Sequence, residues 1–427
     1  MGMIGLSDKD RRMLDGRHGE AARTAMAILV RMADVLDAAE LMDITQVHID
    51  GCGLLSEASL DFAETMAARG GKVCVPTTLN MGPLDLQNWR RFGVPESFAR
   101  RAIRQGKAYT DMGCVPTWSC APYQGYLTPR FGQQICWGES NAIVYANSVL
   151  GARTNRYADY LDLCAAITGR VPKQGLHVTE NRKGQVLVRL AGVAPEVLHD
   201  DAFYPVLGHL LGSLLQDEIP VIEGLPPGVA DDQLKAFGAA AASSGALALF
   251  HAVGVTPEAS TAEAAFQGDP PRRVLEIGLA DVRAARADLS TAAEGEKLDV
   301  VALGCPHYSF AEFRRLAEQI QAQRPRRLHP DVMFLVTTCQ TSYALLQRAE
   351  WKDVLSAFGA RIALDTCPFH SPIVAARAEV LMTDSGKCAY YAPGELGVRV
   401  AFATVADCVR SAVEGRVCRK EPPWDAS

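Results

Sequence analysis

The chain has 427 residues, of which 48% are hydrophobic and 22% charged, a composition typical of a globular protein with more than one core rather than of a disordered chain. The formal net charge of -6, without a long lysine or arginine run, argues against a nucleic-acid partner, and no apolar stretch approaches the roughly 18 residues that a membrane helix needs. Twelve cysteines without a secretion signal indicate reduced thiols in the cytoplasm, some of them available as metal ligands.

The first part of the chain is predicted to hold a helical lead-in and a βαβ unit. Residues 20–41 have helical period. The strand-like ITQVHID stops at the Gly51-Cys52-Gly53 turn, a helix is expected over residues 56–68, and a second strand, KVCVP, is expected over residues 72–76. The turn lacks the third glycine of a dinucleotide-binding fingerprint, although its glycines could let a small anion approach backbone amides.

Residues 113–156 contain the first concentration of chemically useful side chains. Cys120 is followed by Pro122, which keeps the local backbone out of the helical region. Glu139, Ser140 and Asn141 then begin an apolar helical pattern. Such a polar trio can be a simple helix cap, or it can bind a ligand beside the nearby cysteines.

The middle of the chain is predicted to contain both helices and strands. Helices are expected over residues 157–168 and 201–215, and a hairpin is expected to pair HVTE with QVLVRL. The alanine-rich run at residues 237–249 is interpreted as a helix entering a strand. We place a domain boundary at residue 255, which divides the chain into an N-terminal α/β region (1–255) and a C-terminal α/β domain (256–427).

The remainder alternates strand-like and helical patterns, which predicts an open, mostly parallel sheet. The strands are VLEIG, VVALG, VMFLV, IALD, VLMT and VRVAF, and helices are expected over residues 310–323 and 343–358. Because ligands bind at the carboxyl ends of strands in such sheets, residues that follow the strands should converge there. These residues are Cys305 and His307, Cys339, Cys367 and His370, and Asp384, Ser385, Lys387 and Cys388.

Cys120, Cys305 and Cys367 are the favoured metal ligands. A proline follows Cys305 and Cys367 at once and stiffens the turn, so that a thiolate there can face a ligand. The weaker candidates are Cys136, Cys339 and Cys388, and the cysteines interpreted as small apolar residues are Cys52, Cys74, Cys164, Cys408 and Cys418. A structural zinc site is disfavoured because Cys114 and Cys120 lack the usual close spacing.

Two charged or titratable side chains have both a structural and a functional interpretation. His307 can be a general acid or substrate donor, or a hydrogen-bonded packing residue. Lys387 lies in Ser-Gly-Lys among small residues, where its ammonium and backbone amides could hold a carboxylate or a phosphate, unless it is simply solvated.

Several motifs together resemble the large subunit or large domain of aconitase X. They are HIDG, VPTTLN, SCAPY, GESNAIVYANSVLGARTNR, AAITGR, GCPHYS, DTCP and TDSGKCAYY, and they extend from about residue 48 to residue 391. Members of that family are iron-sulfur dehydratases, of which bacterial ones act on cis-3-hydroxy-L-proline and archaeal ones on mevalonate 5-phosphate. The resemblance implies an aconitase-like α/β fold of layered domains, with mostly parallel sheets flanked by helices.

The resemblance also implies the residues of the site. Cys120, Cys305 and Cys367 would hold a 2Fe-2S, 3Fe-4S or 4Fe-4S cluster. The positions that match the family's substrate site are Gly51, Cys52, Gly53, Asn80, Met81, Glu139, Ser140, Asn141 and Lys387. The catalytic candidates of this chain are His307, Lys387 and Glu139.

The chemistry that follows is a dehydration. An iron with an open coordination position can polarise a hydroxyl, so we expect removal of the proton α to a carboxylate and loss of the β-hydroxyl. From cis-3-hydroxy-L-proline the product would be Δ1-pyrroline-2-carboxylate, with Lys387, Ser140 and Asn141 holding the substrate. The apolar, cysteine-containing turn at residues 51–56 favours hydroxyproline over mevalonate 5-phosphate or another hydroxy acid.

A partner chain is expected as well. The family has a small swivelling domain, similar to the one that supplies the catalytic serine base in aconitases, and no segment of this sequence is left over for it. We therefore expect a large subunit that forms a heterodimer with a small subunit and is inactive alone. The alternative from a different class is a non-catalytic scaffold, whose cysteines hold zinc or a structural cluster.

Overall fold

The computed structural model describes residues 4–323, 327–374 and 378–420. In chain order the helices are α1 (Asp8–Leu14), α2 (Glu20–Val35), α3 (Glu57–Ala68), α4 (Glu96–Asp111), α5 (Ser140–Ser148), α6 (Leu161–Thr168), α7 (Pro195–Leu198), α8 (Phe203–Leu215), α9 (Asp231–Ser244), α10 (Ala262–Ala265), α11 (Leu279–Asp288), α12 (Phe310–Ala322), α13 (Gln340–Leu346), α14 (Trp351–Phe358), α15 (Gly386–Leu396) and α16 (Val405–Glu414). None of the helices in these described parts combines the length and the apolar character that crossing a bilayer requires.

The strands form separate sheets. They are β1 (Leu41–Asp43), β2 (Val47–Ile49), β3 (Thr77–Leu79), β4 (Cys136–Trp137), β5 (Arg170–Pro172), β6 (Val186–Leu190), β7 (Pro220–Glu223), β8 (His251–Ala252), β9 (Arg273–Ile277), β10 (Val300–Leu303), β11 (Met333–Thr338), β12 (Arg361–Leu364), β13 (Val380–Thr383) and β14 (Arg399–Phe402). Apart from the antiparallel pair β1 and β5, the strand pairings are parallel. Helices and parallel sheets together confirm the predicted α/β fold.

The first sheet has the strand order β3-β2-β4. Its central strand β2 is buried throughout, as expected for a strand covered on both faces. The three strands end immediately before Asp50, Asn80 and Gly138. Because the strands are parallel, these three residues meet at one edge of the sheet.

The predicted βαβ unit is confirmed, but its second strand was placed too early. The backbone N–H groups of Val73 and Cys74 donate to Met112 and Ala166 instead of pairing with β2. Pro76 has no N–H to contribute to a ladder. The strand therefore begins at Thr77, after the KVCVP segment.

The second sheet has the order β8-β7-β6-β9, and α8 and α9 pack together beside it. The predicted hairpin of HVTE with QVLVRL is wrong, because the first segment forms short 3-10 turns. Arg182 ends these turns and is fully buried, where its guanidinium binds Glu258 at 2.5 Å. Strand β9 pairs with β6, so this sheet crosses the boundary expected at residue 255, and the division into 1–255 and 256–427 stays a prediction.

The third sheet has the order β12-β11-β10-β13-β14 and matches the predicted C-terminal strands after VLEIG. Cys305, Cys367 and Lys387 all follow its strands at the carboxyl edge. The helix expected over residues 343–358 is wrong, because it is divided into α13 and α14. Leu346 and Leu355 both enter the same core, whereas one continuous helix would put them on opposite faces.

Gly82 links the loops of the first and third sheets. Its N–H donates to the Asp365 carbonyl at 2.7 Å. A Cβ at Gly82 would lie 3.2 Å from that carbonyl oxygen and 3.3 Å from Cε3 of Trp118. A Cβ at this position would press on both loops, so glycine suits their close approach.

Substituting Gly82→Ala is expected to lower the free energy of unfolding by about 1–3 kcal/mol, because the methyl group overpacks a contact between loops. Urea unfolding followed by circular dichroism measures the change. Gly394→Ala in α15 is the matched control, since a Cβ there would meet nothing within 4 Å. Equal unfolding midpoints for the two variants would contradict the tight packing of Gly82.

Candidate active site

An ion pair between Lys387 and Glu139 connects the first and third sheets. Glu139 caps α5, where its carboxylate accepts a hydrogen bond from the Ala142 backbone N–H at 2.8 Å. Lys387 lies in the first turn of α15, shortly after β13. Its Nζ is 2.5 Å from Glu139 Oε1, and the two side chains are 14% and 6% exposed. The predicted catalytic pair is therefore brought together from distant parts of the chain.

Lys387 keeps its positive charge in this environment. Burial by itself would lower the pKa of Lys387, but attraction to Glu139, with smaller contributions from Cys305 and Cys120, raises it overall. The Ser140 hydroxyl lies 3.4 Å from Nζ. A permanent cation beside a hydroxyl is suited to binding a carboxylate.

The side chain of Asn141 forms hydrogen bonds with other groups of the protein. Its Nδ2 donates to the Cys120 carbonyl at 2.9 Å and to the Glu139 carboxylate, and its Oδ1 accepts from the Tyr123 hydroxyl at 2.9 Å. Both amide hydrogens are therefore committed. In the structure Asn141 holds Cys120 and Glu139, and its predicted contact with substrate stays a prediction.

A residue with left-handed backbone precedes each of the three favoured cysteines. These residues are Trp118 before Cys120, Gly304 before Cys305 and Asp365 before Cys367, with φ of 45°, 92° and 64°. Left-handed backbone redirects the chain sharply, and it costs of order 1–3 kcal/mol at a residue other than glycine. At Gly304 a Cβ would lie 2.1 Å from the Thr337 carbonyl oxygen, so only glycine fits.

The three thiols lie close enough to influence one another. Burial is the largest cause in each case, and it raises the pKa of Cys305 and of Cys367 to about 12 and also raises the pKa of Cys120. Cys305 adds to the upward pKa shift of Cys120, Cys367 to that of Cys305, and Cys120 to that of Cys367. Lys387 opposes all three shifts, so its ammonium acts electrostatically on each of the thiols.

The chemistry of this donor set, three cysteine thiols, fits an iron-sulfur cluster. Among the residues that the structure describes, no three histidine, cysteine or carboxylate side chains are grouped to hold one ion. Cluster thiolates bind different irons and stand farther apart than the ligands of one ion. The neighbouring Lys387 cation would favour the thiolate forms that bind iron. Cys120, Cys305 and Cys367 are the residues that would hold the cluster.

The Gly51-Cys52-Gly53 turn lies at the edge of the first sheet, as predicted. Cys52 is fully buried, and its thiol donates to the carbonyls of Ile49 and Asn80 at 3.5 and 3.4 Å, so its side chain packs inside the turn. A Cβ on Gly53 would come within 3.7 Å of the His370 ring. Because the Cys52 thiol is buried, the turn has its backbone, and not this thiol, available to contact a ligand. Met81 follows Asn80 and is also buried.

Sequence reasoning left Asp50 and Asp162 out of the site, and it placed His370 at the sheet edge without giving it a role. Burial, with repulsion from Glu139, Asp159 and Asp162, raises the pKa of Asp50 to about 8. Burial raises the pKa of Asp162 to about 7, and its Oδ2 accepts from the Asp50 backbone N–H at 2.6 Å. Burial and the nearby Lys387 lower the pKa of His370 to about 4. Asp50 directly follows a buried parallel strand, which is the signal that could have identified it.

His307 is held more firmly than a mobile acid would be. Its Nε2 donates to the Thr366 carbonyl at 2.8 Å, and its backbone N–H donates to Cys120 Sγ at 3.2 Å. Burial lowers the pKa of His307 to about 4, so the ring is neutral near pH 7. Lys235 binds the His307 carbonyl at 3.4 Å and Glu312 at 2.5 Å, which fixes this loop further.

The weaker metal candidates are buried thiols. Cys136 and Cys388 belong to two different hydrophobic cores, and Cys305 packs against the core that holds Cys388. Cys339 is fully buried with its thiol 3.7 Å from the Ser342 hydroxyl. Their role as metal ligands stays a prediction.

Family models match the chain in three successive segments. The Aconitase X first domain matches residues 3–180, the second domain matches residues 184–287, and the third domain matches residues 298–414. Together these segments cover most of the chain.

Named relatives span the same region. Cis-3-hydroxy-L-proline dehydratase of Pseudomonas aeruginosa is 46% identical over 97% of this chain and 71% of its own length, and the Hypocrea jecorina protein of the same name is 43% identical over 99% and 71%. The phosphomevalonate dehydratase large subunit of Methanothermobacter thermautotrophicus is 37% identical over 96% of this chain and 99% of its own length.

A solved structure confirms the fold. The crystal structure of Thermococcus kodakaraensis aconitase X in its holo-form superposes with a TM-score of 0.85 at 30% identity, over 96% of this chain and 100% of that one. With the family models and the relatives, this match shows that the chain belongs to the aconitase X family.

Proposed function

We propose that this chain is the large subunit of an iron-sulfur dehydratase that converts cis-3-hydroxy-L-proline to Δ1-pyrroline-2-carboxylate. The observation that carries the proposal is the buried ion pair of Lys387 with Glu139, whose ammonium acts electrostatically on Cys120, Cys305 and Cys367. Relatives named for this activity are 46% and 43% identical to the chain, whereas the Methanothermobacter relative named for phosphomevalonate is 37% identical. Phosphomevalonate therefore remains the alternative substrate.

Lys387 binds the substrate carboxylate in this proposal. An ammonium has three hydrogens, and among the described residues Glu139 Oε1 and the Ser140 hydroxyl are the hydrogen-bond partners of Nζ. At least one hydrogen is left for a ligand. Ser140 adds a hydroxyl donor at the same place, while Glu139 keeps Nζ charged and oriented.

The same contacts assist proton removal. Loss of the proton from Cα moves negative charge onto the carboxylate, and Lys387 and Ser140 stabilise that charge in place. Hydroxide then leaves C3, so that one water is lost in total, and the enamine tautomerises to the cyclic imine. An iron-sulfur cluster, when bound by Cys120, Cys305 and Cys367, supplies a Lewis acid for the departing hydroxyl.

His307 acts by position in this scheme. A neutral ring whose Nε2 hydrogen is used by Thr366 is a poor general acid, but the His307 backbone N–H can stabilise negative charge on Cys120 Sγ. The base that removes the Cα proton is proposed to come from the swivelling domain of a small subunit.

A separate small subunit is part of the proposal. The Methanothermobacter relative is named a large subunit, and this chain matches 99% of its length. All twelve cysteines are free thiols, which supports a reducing compartment such as the cytoplasm.

Anaerobic co-expression of this chain with its small-subunit partner is expected to give iron, sulfide and pyrroline-2-carboxylate from cis-3-hydroxy-L-proline, whereas the chain alone is expected to give no product. Iron analysis and an assay of the imine measure these outcomes. Full activity of the chain without a partner would contradict the two-subunit proposal. Zinc, or no metal, would favour the scaffold alternative. A cluster without product would favour mevalonate 5-phosphate or another hydroxy acid as the substrate.

Replacing Cys120, Cys305 or Cys367 singly by serine is expected to abolish most of the bound iron and the visible absorbance, because each thiolate holds the cluster. Cys136→Ser is the control, since Cys136 is a buried thiol that lies in a hydrophobic core of the first sheet. Iron per chain and the visible spectrum are measured. Undiminished iron in any of the three variants would remove that residue from the ligand set.

Lys387→Ala is expected to reduce turnover by about a hundredfold or more and to weaken substrate binding, because the carboxylate loses its charged partner. The visible absorbance of the cluster is expected to persist. Lys387→Arg, which keeps the charge, should retain more activity than Lys387→Ala. Loss of the absorbance in Lys387→Ala would show instead that Lys387 supports the cluster.

A further inference from the structure

The edge of the first sheet presents hydrogen-bond acceptors that have no donor. Asn80 is fully buried, and its Nδ2 donates to Asp50 Oδ1. In the ionised form of Asp50, the form that would bind a cation, the carboxylate oxygen only accepts, so this contact fixes which end of the amide carries the hydrogens. Asn80 Oδ1 is then a buried acceptor without a partner among the described residues. An unpaired buried acceptor is costly, so a ligand donor is the natural partner.

Asp50 offers a second acceptor beside it. Its Oδ1 is used by Asn80, its side chain is half-buried, and in the parts of the chain that the structure describes no group donates to its Oδ2. The backbone N–H of Asp50 is fixed by Asp162 Oδ2 at 2.6 Å. The carboxylate is therefore held in one orientation, with one oxygen available.

The charges around Asp50 also favour a cation. Glu139, Asp159 and Asp162 all act electrostatically on Asp50 as like charges, and Lys387 is the opposing charge. A ligand that brought a phosphate dianion to this edge would meet carboxylates at short range. A ligand that carries both a carboxylate and an ammonium would instead match Lys387 at one end and Asp50 at the other.

We propose that Asp50 Oδ2 and Asn80 Oδ1 bind the ring ammonium of a cyclic amino acid, and that this pair makes the site select zwitterions over phosphorylated hydroxy acids. The proposal rests on the proposed function and deepens it. The ring nitrogen of cis-3-hydroxy-L-proline carries two hydrogens in its cationic form, one for each acceptor. Carboxylate and ammonium then anchor the two sides of the ring, which fixes the face that the Cα proton presents.

The pH dependence of binding follows from the same groups. The pKa of Asp50 is raised to about 8 and that of Asp162 to about 7, with burial the largest cause in both. A bound cation favours the ionised carboxylate, so binding at pH 7 should release a proton, and affinity should rise with pH up to about 8. Glu139 and Asp159 are the other carboxylates that act on Asp50, and Lys387 stays cationic throughout because its pKa is raised.

The test compares two ligands on the complete enzyme by titration calorimetry. L-proline has the carboxylate and the ring ammonium, whereas cyclopentanecarboxylate has the carboxylate and a ring without nitrogen. The unmodified enzyme should bind L-proline at least about tenfold more tightly, and Asp50→Asn should remove most of that preference. Asp159→Asn is the matched control, because it removes the same charge without touching Asn80, and it should keep most of the preference.

Proton release provides a readout that needs no variant. Titrations at pH 7 in buffers of different ionisation enthalpy should show proton release with L-proline and none with cyclopentanecarboxylate. Circular dichroism and iron content establish that each variant is folded and loaded. Failure of the unmodified enzyme to prefer L-proline, or a preference that Asp50→Asn leaves intact, would overturn the proposal.

The outcomes separate this inference from the proposed function. If the enzyme prefers L-proline through Asp50 but forms no product from cis-3-hydroxy-L-proline, the result supports the ammonium site and contradicts the assigned substrate. If product is formed while Asp50→Asn keeps the preference for L-proline, the result supports the dehydratase function and contradicts the ammonium site.

Discussion

The buried ion pair of Lys387 with Glu139 is the interaction on which the rest of this site depends. Either charge alone would be stranded away from water, at a cost of about 3–5 kcal/mol. Together they join the carboxyl edge of one parallel sheet to that of another. Burial raises the pKa values of Cys120, Cys305 and Asp50, and Lys387 opposes each of these rises, so one ammonium acts on both halves of the site.

The site is polarised from one side to the other. At one side the ammonium and three thiols favour anionic ligands and metal. At the other side Asp50, Asp162 and the orphaned oxygen of Asn80 favour a donor or a cation. A compact zwitterion satisfies both sides at once, which is a simpler electrostatic basis for substrate choice than the apolar character of the Gly51-Cys52-Gly53 turn.

Much of this arrangement could be predicted from the sequence, because parallel sheets collect strand-terminal residues at one edge. That rule placed Cys305, Cys367 and Lys387 together. Asp50 also follows a parallel strand, but an Asp before a glycine has the appearance of an ordinary turn residue. The hairpin error had a different source. Arg182 is held by an ion pair with Glu258 from a distant loop, and no local pattern reveals such a partner.

The distance along the chain between the paired charges has a consequence for biosynthesis. Glu139 precedes Lys387 by 248 residues, and His307 follows Cys120 by 187. During translation the first sheet can form long before the third has been made. In the nascent chain, Cys120 is therefore exposed without His307, and Glu139 at the start of α5 is exposed without Lys387. The buried ion pair cannot close until the ribosome has passed Lys387, so factors that shield thiols during synthesis would raise the yield of folded protein.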